Sequence, residues 1–346
     1  MAAADMARTA EATRVIASAR PVEVLGKGGR GRWGDLVRWG PAGLVGVWVL
    51  AQIAYPLTAG AGRDAVTVVV VLLAAGIAGW HAWVSGGVWR VAGLLVVVAG
   101  VGLVAEIVGT AWGFPFGCYR YAAARLGPEV AGVPLVVPLA WVGGWYPVRV
   151  VAGRLSRRAG VRVVLTAVGA VGWDLFLDPQ MVADGQWVWC SAWRGLPGLA
   201  GIPFTNFLGW FGVALVMAGL WEVVDRRGAR EGGVDGPRWA SADERSAART
   251  DERLVGGGDG RPWTGTDERL TAAADERLGA GVGGWPGAGV DLLAAVPVGM
   301  FLWTWLGSAL AHAVFLHLPW SAAYGFAGMG VLGVPLVWSL AGFRRT

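Results

Sequence analysis

Charge is scarce in this chain. Asp, Glu, Lys and Arg make up 15% of its 346 residues, where a soluble globular domain carries about 25%. A soluble domain of ordinary composition is therefore excluded. There are two cysteines, Cys118 and Cys190, and no CxxC, which argues against a thiolate zinc or iron–sulfur site. The three histidines, His81, His312 and His317, stand on different segments without ligand spacing and read as structural. Lys27 is the single lysine. The net charge of +5 does not indicate nucleic acid, because no basic motif interleaved with aromatics accompanies it. A compact signal peptide is also missing: residues 1–39 mix seven basic with four acidic residues, and the first apolar run starts near Pro41.

What the chain has in quantity is apolar sequence, 55% of the total. Several runs approach the ~20 residues needed to cross a bilayer. The expected fold is all-α, a polytopic membrane bundle of about eight helices. The spans are placed at about 41–59, 65–84, 91–112, 131–150, 162–178, 204–224, 290–311 and 323–342. Residues 1–40 read as a disordered basic tail. Residues 225–288 break the hydropathy pattern, with Asp-Glu-Arg beginning at Asp243, Asp251, Asp267 and Asp275 among Gly, Ala, Ser and Thr. Such a segment cannot bury enough apolar surface to offset its ordering entropy. It is expected to be a disordered linker between helices 1–6 (41–224) and helices 7–8 (289–346), or else a short helix for a partner.

Eight spans place both termini on one side. With that side cytoplasmic, the inner segments hold fifteen basic residues, with the long linker left out. The outer loops hold four, Arg63, Arg120, Arg125 and Arg194. The positive-inside rule supports this orientation, a multi-pass cell-membrane protein with cytoplasmic termini. Loops 113–129 and 179–203 then lie outside, and Cys118 and Cys190, one in each, could be joined or free.

The chain is organised around Gly172–Trp210. Asp174 and Asp178 are four residues apart, hence on one helix face, and Pro179 is expected to stop that helix. Glu106 falls in the outer half of the third span, so three acids converge at one membrane face. A carboxylate at a helix centre in the bilayer costs roughly 2.5–3.5 kcal/mol, less toward the end, and function is the default explanation. Three jobs suit the acids: metal-assisted handling of a diphosphate, proton transport, or general acid catalysis on an apolar substrate. The alternative is that they cap helix ends or pair with Arg120 or Arg194. General acid work fits best. A carboxyl drawn out of water resists ionisation, and a neighbouring carboxylate strengthens that resistance. Aromatic faces can stabilise a developing cation.

The pieces GFPFGCYRY, LGPEVAGVPLVVPLAW, DLFLDPQMV, GQWVW and GIPFTNFLGW resemble the carotenoid 1,2-hydratases of the CruF type, also called bisanhydrobacterioruberin hydratases. The resemblance covers roughly residues 100–215 and leaves the 225–288 segment as an insertion. It implies a hydro-lyase of carotenoid biosynthesis. Such an enzyme adds water to the terminal C=C bond of an acyclic carotenoid, bisanhydrobacterioruberin-like or lycopene- or γ-carotene-like, to give a tertiary alcohol. The chemistry needs an acid, a cation-stabilising wall and a positioned water, and in principle no cofactor and no metal. Asp174 and Asp178 are the candidate proton donors, with Glu106 tuning them or holding the water. Tyr119, Tyr121, Trp141 and Trp187 are candidates for the wall, and Asn206 for a hydrogen bond to the water or new hydroxyl. Each has a plainer reading. Trp and Tyr anchor membrane interfaces, and Asn206 could simply cap its helix. The expected partners are the carotenoid, water, membrane lipid and other carotenoid-pathway enzymes. A non-catalytic carotenoid or polyprenyl binder and a proton-coupled transporter are the competing readings.

Overall fold

The computed structural model describes residues 32–190, 194–199, 201–231 and 292–342. The expected N-terminal tail up to residue 31, most of the 225–288 segment and the terminal Arg344–Arg345 pair lie outside the described residues. Residues 1–40 form a unit apart from 41–346, and the account below concerns the larger unit. The described elements, in chain order, are helix α1 (Arg32–Ala54), which enters the larger unit at Pro41, with a 3-10 turn (Tyr55–Leu57), α2 (Gly60–Gly93), a π-helical stretch (Leu94–Gly100) and α3 (Val101–Trp112). Strands β1 (Tyr119–Tyr121), β2 (Glu129–Val130) and β3 (Val133–Pro134) follow, then α4 (Val136–Leu155) and α5 (Ala159–Ala183). After β4 (Trp187–Trp189) come α6 (Phe204–Glu231), α7 (Leu292–Leu310), a π-helical turn (Ala311–Phe315) and α8 (Pro319–Leu340).

The described residues are all-α apart from two short antiparallel ribbons, β1–β4 and β2–β3. Among the described residues, five helical segments are long and apolar enough to cross a membrane, which marks a membrane protein. One of the five, Gly60–Trp112, is 53 residues long. At 1.5 Å per residue that is about 80 Å, far more than the ~30 Å hydrocarbon layer. The backbone breaks within it at Gly86–Gly87, where Gly87 takes φ +70°, a region glycine enters without penalty. Residues Gly43–Leu57 form a shorter apolar helix. Helix α4 carries Arg149 and is the most enclosed element, burying Trp141, Trp145, Tyr146, Val148 and Val151.

Helices pack through glycine. On α5, a Cβ added to Gly172 would lie 2.5 Å from the Met329 backbone nitrogen of α8, and one at Gly169 would strike Val148 of α4. Small residues let membrane helices approach to backbone contact, where dispersion and not hydrophobicity holds them.

Most helix limits differ from the expected spans by a few residues, α1 begins at Arg32, within the segment expected as tail, and two of the differences have a visible cause. Pro179 does not stop α5, which continues to Ala183. Proline at 179 removes the donor that would meet the Leu175 carbonyl, and the Ser321 hydroxyl replaces it at 2.7 Å. Transmembrane helices tolerate proline when another group satisfies the freed carbonyl. Helix α6 runs past residue 224 to Glu231. Near that end two of its acids are paired: Glu222 with Arg149 and Arg162, and Asp225 with Arg149 and Arg90.

Candidate active site

The loop after α3 begins with a left-handed glycine, Gly113 (φ +71°), whose N–H meets the Gly109 carbonyl at 2.7 Å. The chain then turns back over the end of α3 and enters β1. Strand β1 pairs with β4 in the register Tyr119↔Trp189, Arg120↔Val188, Tyr121↔Trp187. Strand periodicity sends alternate residues to opposite faces. Tyr119 and Trp187 are buried, whereas Arg120 and Val188 are exposed. Cys118 and Cys190 form a disulfide beside the ribbon, and the Cys190 N–H continues the ladder to the Cys118 carbonyl at 2.7 Å. The two motif loops are therefore one clamped ribbon. Its far end is held by ions: Arg125 bridges Asp64 of α2 and the Asp184 carbonyl, and Arg63 pairs with Asp184.

The eight residues singled out in the sequence line one small chamber of about 50 Å³. They are Glu106, Tyr119, Tyr121, Trp141, Asp174, Asp178, Trp187 and Asn206. Glu106 comes from α3, Tyr119 and Tyr121 from β1, Trp141 from α4, and both aspartates from α5. Trp187 comes from β4 and Asn206 from α6. All three acids are at least 96% buried. The Tyr119 phenol donates to Glu106 Oε2, and the Asn206 amide donates to Asp178 Oδ2. Tyr121 and Trp141 also face the Glu106 carboxyl, and the Trp187 indole faces Asp178. Asp174 differs. Its Oδ2 is buried and has no hydrogen-bond partner among the described residues. The acids are not paired with Arg120 or Arg194 in any described ion pair, and the Asn206 side chain serves Asp178 and not the helix end.

Glycines make this geometry accessible. A Cβ at Gly109, three residues beyond Glu106, would come within 2.6 Å of the Phe116 ring and 2.9 Å of the Tyr119 hydroxyl. One at Gly209, three beyond Asn206, would strike Phe116 and Pro115 at 2.8 Å. Bare backbone at these points lets the aromatic loop settle between α3 and α6.

Burial first, and then the nearby Glu106, push the Tyr119 and Tyr121 phenols well above their ordinary value of 10. Both stay protonated and serve as donors.

Sequence reasoning missed several wall residues. Trp210 stacks on Trp141 with ring centroids 4.2 Å apart and on Phe116 at 4.4 Å. Trp189 lies 5.5 Å from Tyr119 and donates its indole N–H to the Phe116 carbonyl at 3.2 Å. Trp210 was within reach of the sequence, since it follows Asn206 by four residues and so shares its helix face. Thr67 and Val71 of α2 also line the chamber, and no local signal marks them. Among the described residues no group of three or more His, Cys, Asp or Glu is arranged to hold a metal ion.

Buried acids in an aromatic chamber, roofed by a disulfide-clamped ribbon and enclosed by apolar helices, define an integral membrane protein with a secluded polar site. The chain belongs to the carotenoid biosynthesis protein family, whose model matches residues 66–240. Every chamber residue falls within that range. The chain is also similar to the bisanhydrobacterioruberin hydratase of Haloarcula japonica, with 31% identity over 157 residues. That match covers 40% of this chain and 52% of the relative, so the chain spans about half the length of the curated relative it matches. No solved structure matches.

Proposed function

We propose that this protein is a hydro-lyase that hydrates the terminal C=C bond of an acyclic carotenoid to a tertiary alcohol. The observation that carries the reading is Asp174, a buried carboxyl with an unpartnered oxygen beside two other acids and a wall of aromatic rings. Membership of a carotenoid biosynthesis family and similarity to a protein named as a hydratase support it.

The reaction needs little machinery. A protonated Asp174 delivers its proton to the less substituted carbon of a trisubstituted alkene. The C=C pair forms the new C–H bond, and a cation develops at the tertiary carbon. The aromatic wall, with Trp141 backed by Trp210, stabilises that cation through the ring quadrupole, an effect worth about 2 kcal/mol when desolvated. Water adds to the cation and the surplus proton returns to the Asp174 carboxylate, so the acid is regenerated. Asp178 and Glu106 are held by Asn206 and Tyr119 and orient the water. A chamber of about 50 Å³ has room for the end of an alkene or a few waters, since a cavity of roughly 10–15 Å³ admits one.

In this reading the apolar segments make eight crossings. The Gly60–Trp112 segment is crossed twice, and Gly43–Leu57 and α4 complete the bundle. The paired cations Arg90, Arg149 and Arg162 lie on the cytoplasmic side, the disulfide lies outside, and the part of the 225–288 segment beyond α6 is an inserted linker. Expression in a host that makes an acyclic carotenoid, followed by mass analysis of the pigments, tests the activity. The product should be heavier by one water, and Asp174→Asn should leave the unhydrated pigment at normal protein level. Unchanged pigment with the intact protein would favour a non-catalytic carotenoid binder, and proton-coupled flux in vesicles a transporter.

A further inference from the structure

The acid chamber is too small for a polyene, so the remainder of the substrate must lie elsewhere. A second cavity of about 770 Å³ adjoins it, within the ~300–1,000 Å³ range of ligand sites that bury most of their occupant. Five residues line both spaces: Thr67 and Val71 of α2, Ala140 of α4, and Leu177 and Met181 of α5. Leu177 precedes Asp178, so the helix turn that presents the acid also forms the partition between the two spaces. Ala140 is the smallest of the five, and its neighbour Trp141 is in the acid chamber alone.

The larger cavity is partly open, and exposed apolar residues stand among its lining. Ile53 and Leu57 on one side and Leu306, Leu310 and Phe315 on the other all line it, and each is 45–71% exposed. In a chain that spans a membrane, such a rim faces hydrocarbon and not water. A mouth toward water would carry polar residues, because exposed apolar rims of this extent are sites of association.

We propose that this cavity is a lateral binding channel for the long acyclic polyene chain, entered from the bilayer between Ile53–Leu57 and Leu306–Phe315, and that it passes the terminal alkene over Ala140 into the acid chamber. The proposal rests on the hydratase reading for the identity of the occupant. It adds where the substrate enters, which part of it is held, and which residue screens its end group. The chain is held by dispersion along apolar walls, and only the last few carbons reach the acids. A bulky cyclic end group is refused at the Ala140 passage, so an open chain end is the one that reaches the acids.

The test uses full-length protein purified in detergent from a host that makes an acyclic carotenoid, with two readouts: polyene retained per protein, and hydrated fraction in the membrane. Gly299 lines the channel, and a Cβ there meets nothing within 4 Å, so Gly299→Trp should fill the channel without a backbone clash. Leu310→Trp, at the exposed rim, is the second blocking variant. Asp174→Asn is the chemical control. Expected are a tenfold or greater loss of both retained polyene and product in at least one blocking variant at wild-type protein level, and wild-type retention without product in Asp174→Asn. Both blocking variants folded, with wild-type retention and product, would overturn the channel while leaving the hydratase reading intact. Should Gly299→Trp not fold, Leu310→Trp alone decides. Wild-type protein that retains polyene but never hydrates it would overturn the hydratase reading while leaving the channel standing.

Discussion

The Ser321 hydroxyl of α8 donates to the Leu175 carbonyl of α5 at 2.7 Å. Leu175 is the residue four before Pro179, whose ring nitrogen has no hydrogen to give. His312 Nδ1 lies 2.9 Å from the same Ser321 oxygen, and its Nε2 lies 3.0 Å from Gln180 Oε1. A serine and a histidine thus carry α5 across its proline. Asp178, the residue before that proline, keeps its place because of them. Ser321→Ala should lower stability by about 1 kcal/mol, the loss of one buried hydrogen bond, and reduce hydration by displacing Asp178. Adding Pro179→Ala should return much of both, because alanine there supplies the missing N–H. Thermal unfolding in detergent and pigment analysis of the single and double variants read the effect. If the double variant is no better than Ser321→Ala, the carbonyl is not what Ser321 serves.

Tyr119 positions Glu106 through its phenol. Tyr119→Phe should keep the ring contacts with Phe116, Tyr121 and Trp189 and remove only the donor. The protein should still fold, with hydration reduced by roughly tenfold, an amount of about 1.4 kcal/mol in the barrier. Gly109→Val should do more harm, since a Cβ there meets both Phe116 and Tyr119. Product measured against protein level would separate the two, and equal activity in Tyr119→Phe would show that the Tyr119–Glu106 hydrogen bond does not serve the reaction.

The disulfide joins cysteines 72 residues apart. Chain-entropy arguments value such a closure at up to about 4 kcal/mol, less when helices already confined to a bilayer limit the open chain. Cys118→Ser should lower thermal stability and, by loosening the β1–β4 ribbon, reduce hydration. Orientation can be read on the same bond. After mild reduction of intact cells, a membrane-impermeant thiol reagent should label Cys118 and Cys190, as disulfides persist on the oxidising side. Labelling only in broken cells would invert the proposed topology.

The alkaline limb tests the ribbon's tyrosines. Their phenols are held above the ordinary value in the fold, so above about pH 10 an unfolded chain releases protons that the folded chain keeps. Stability should be flat in this respect below about pH 10 and fall above it, by up to about 1.4 kcal/mol per pH unit for each such tyrosine. Denaturation followed against pH would show the slope, and Tyr121→Phe should lessen it by the share of one tyrosine. A rise in stability on the alkaline side would contradict the burial of these rings.

Much of the site is legible in the sequence because the expense of charge in hydrocarbon makes Glu106, Asp174 and Asp178 conspicuous in otherwise apolar runs. Helical spacing alone puts the two aspartates on one face, and hydropathy puts the two motif loops on the same side. Pro179 reads locally as a helix stop, because its rescue by Ser321 comes from a residue more than 140 positions away. His312 has no partner in its own segment, yet belongs to the same relay. The end of α6 lies beyond the expected residue 224, since Glu222 and Asp225 look like solvent-exposed charge when their partners on α2, α4 and α5 are unseen.

The amino-acid order by itself determined which stretches are helical and apolar, and that ionisable groups cluster near one end of them. Those are consequences of local periodicity and of transfer free energy, which each segment carries alone. Only tertiary packing decided that Tyr119 reaches Glu106 and Asn206 reaches Asp178 while Asp174 keeps an oxygen open, and that a large apolar cavity shares a wall with the acids. These depend on glycine-mediated approach between helices distant in sequence, which no single segment specifies.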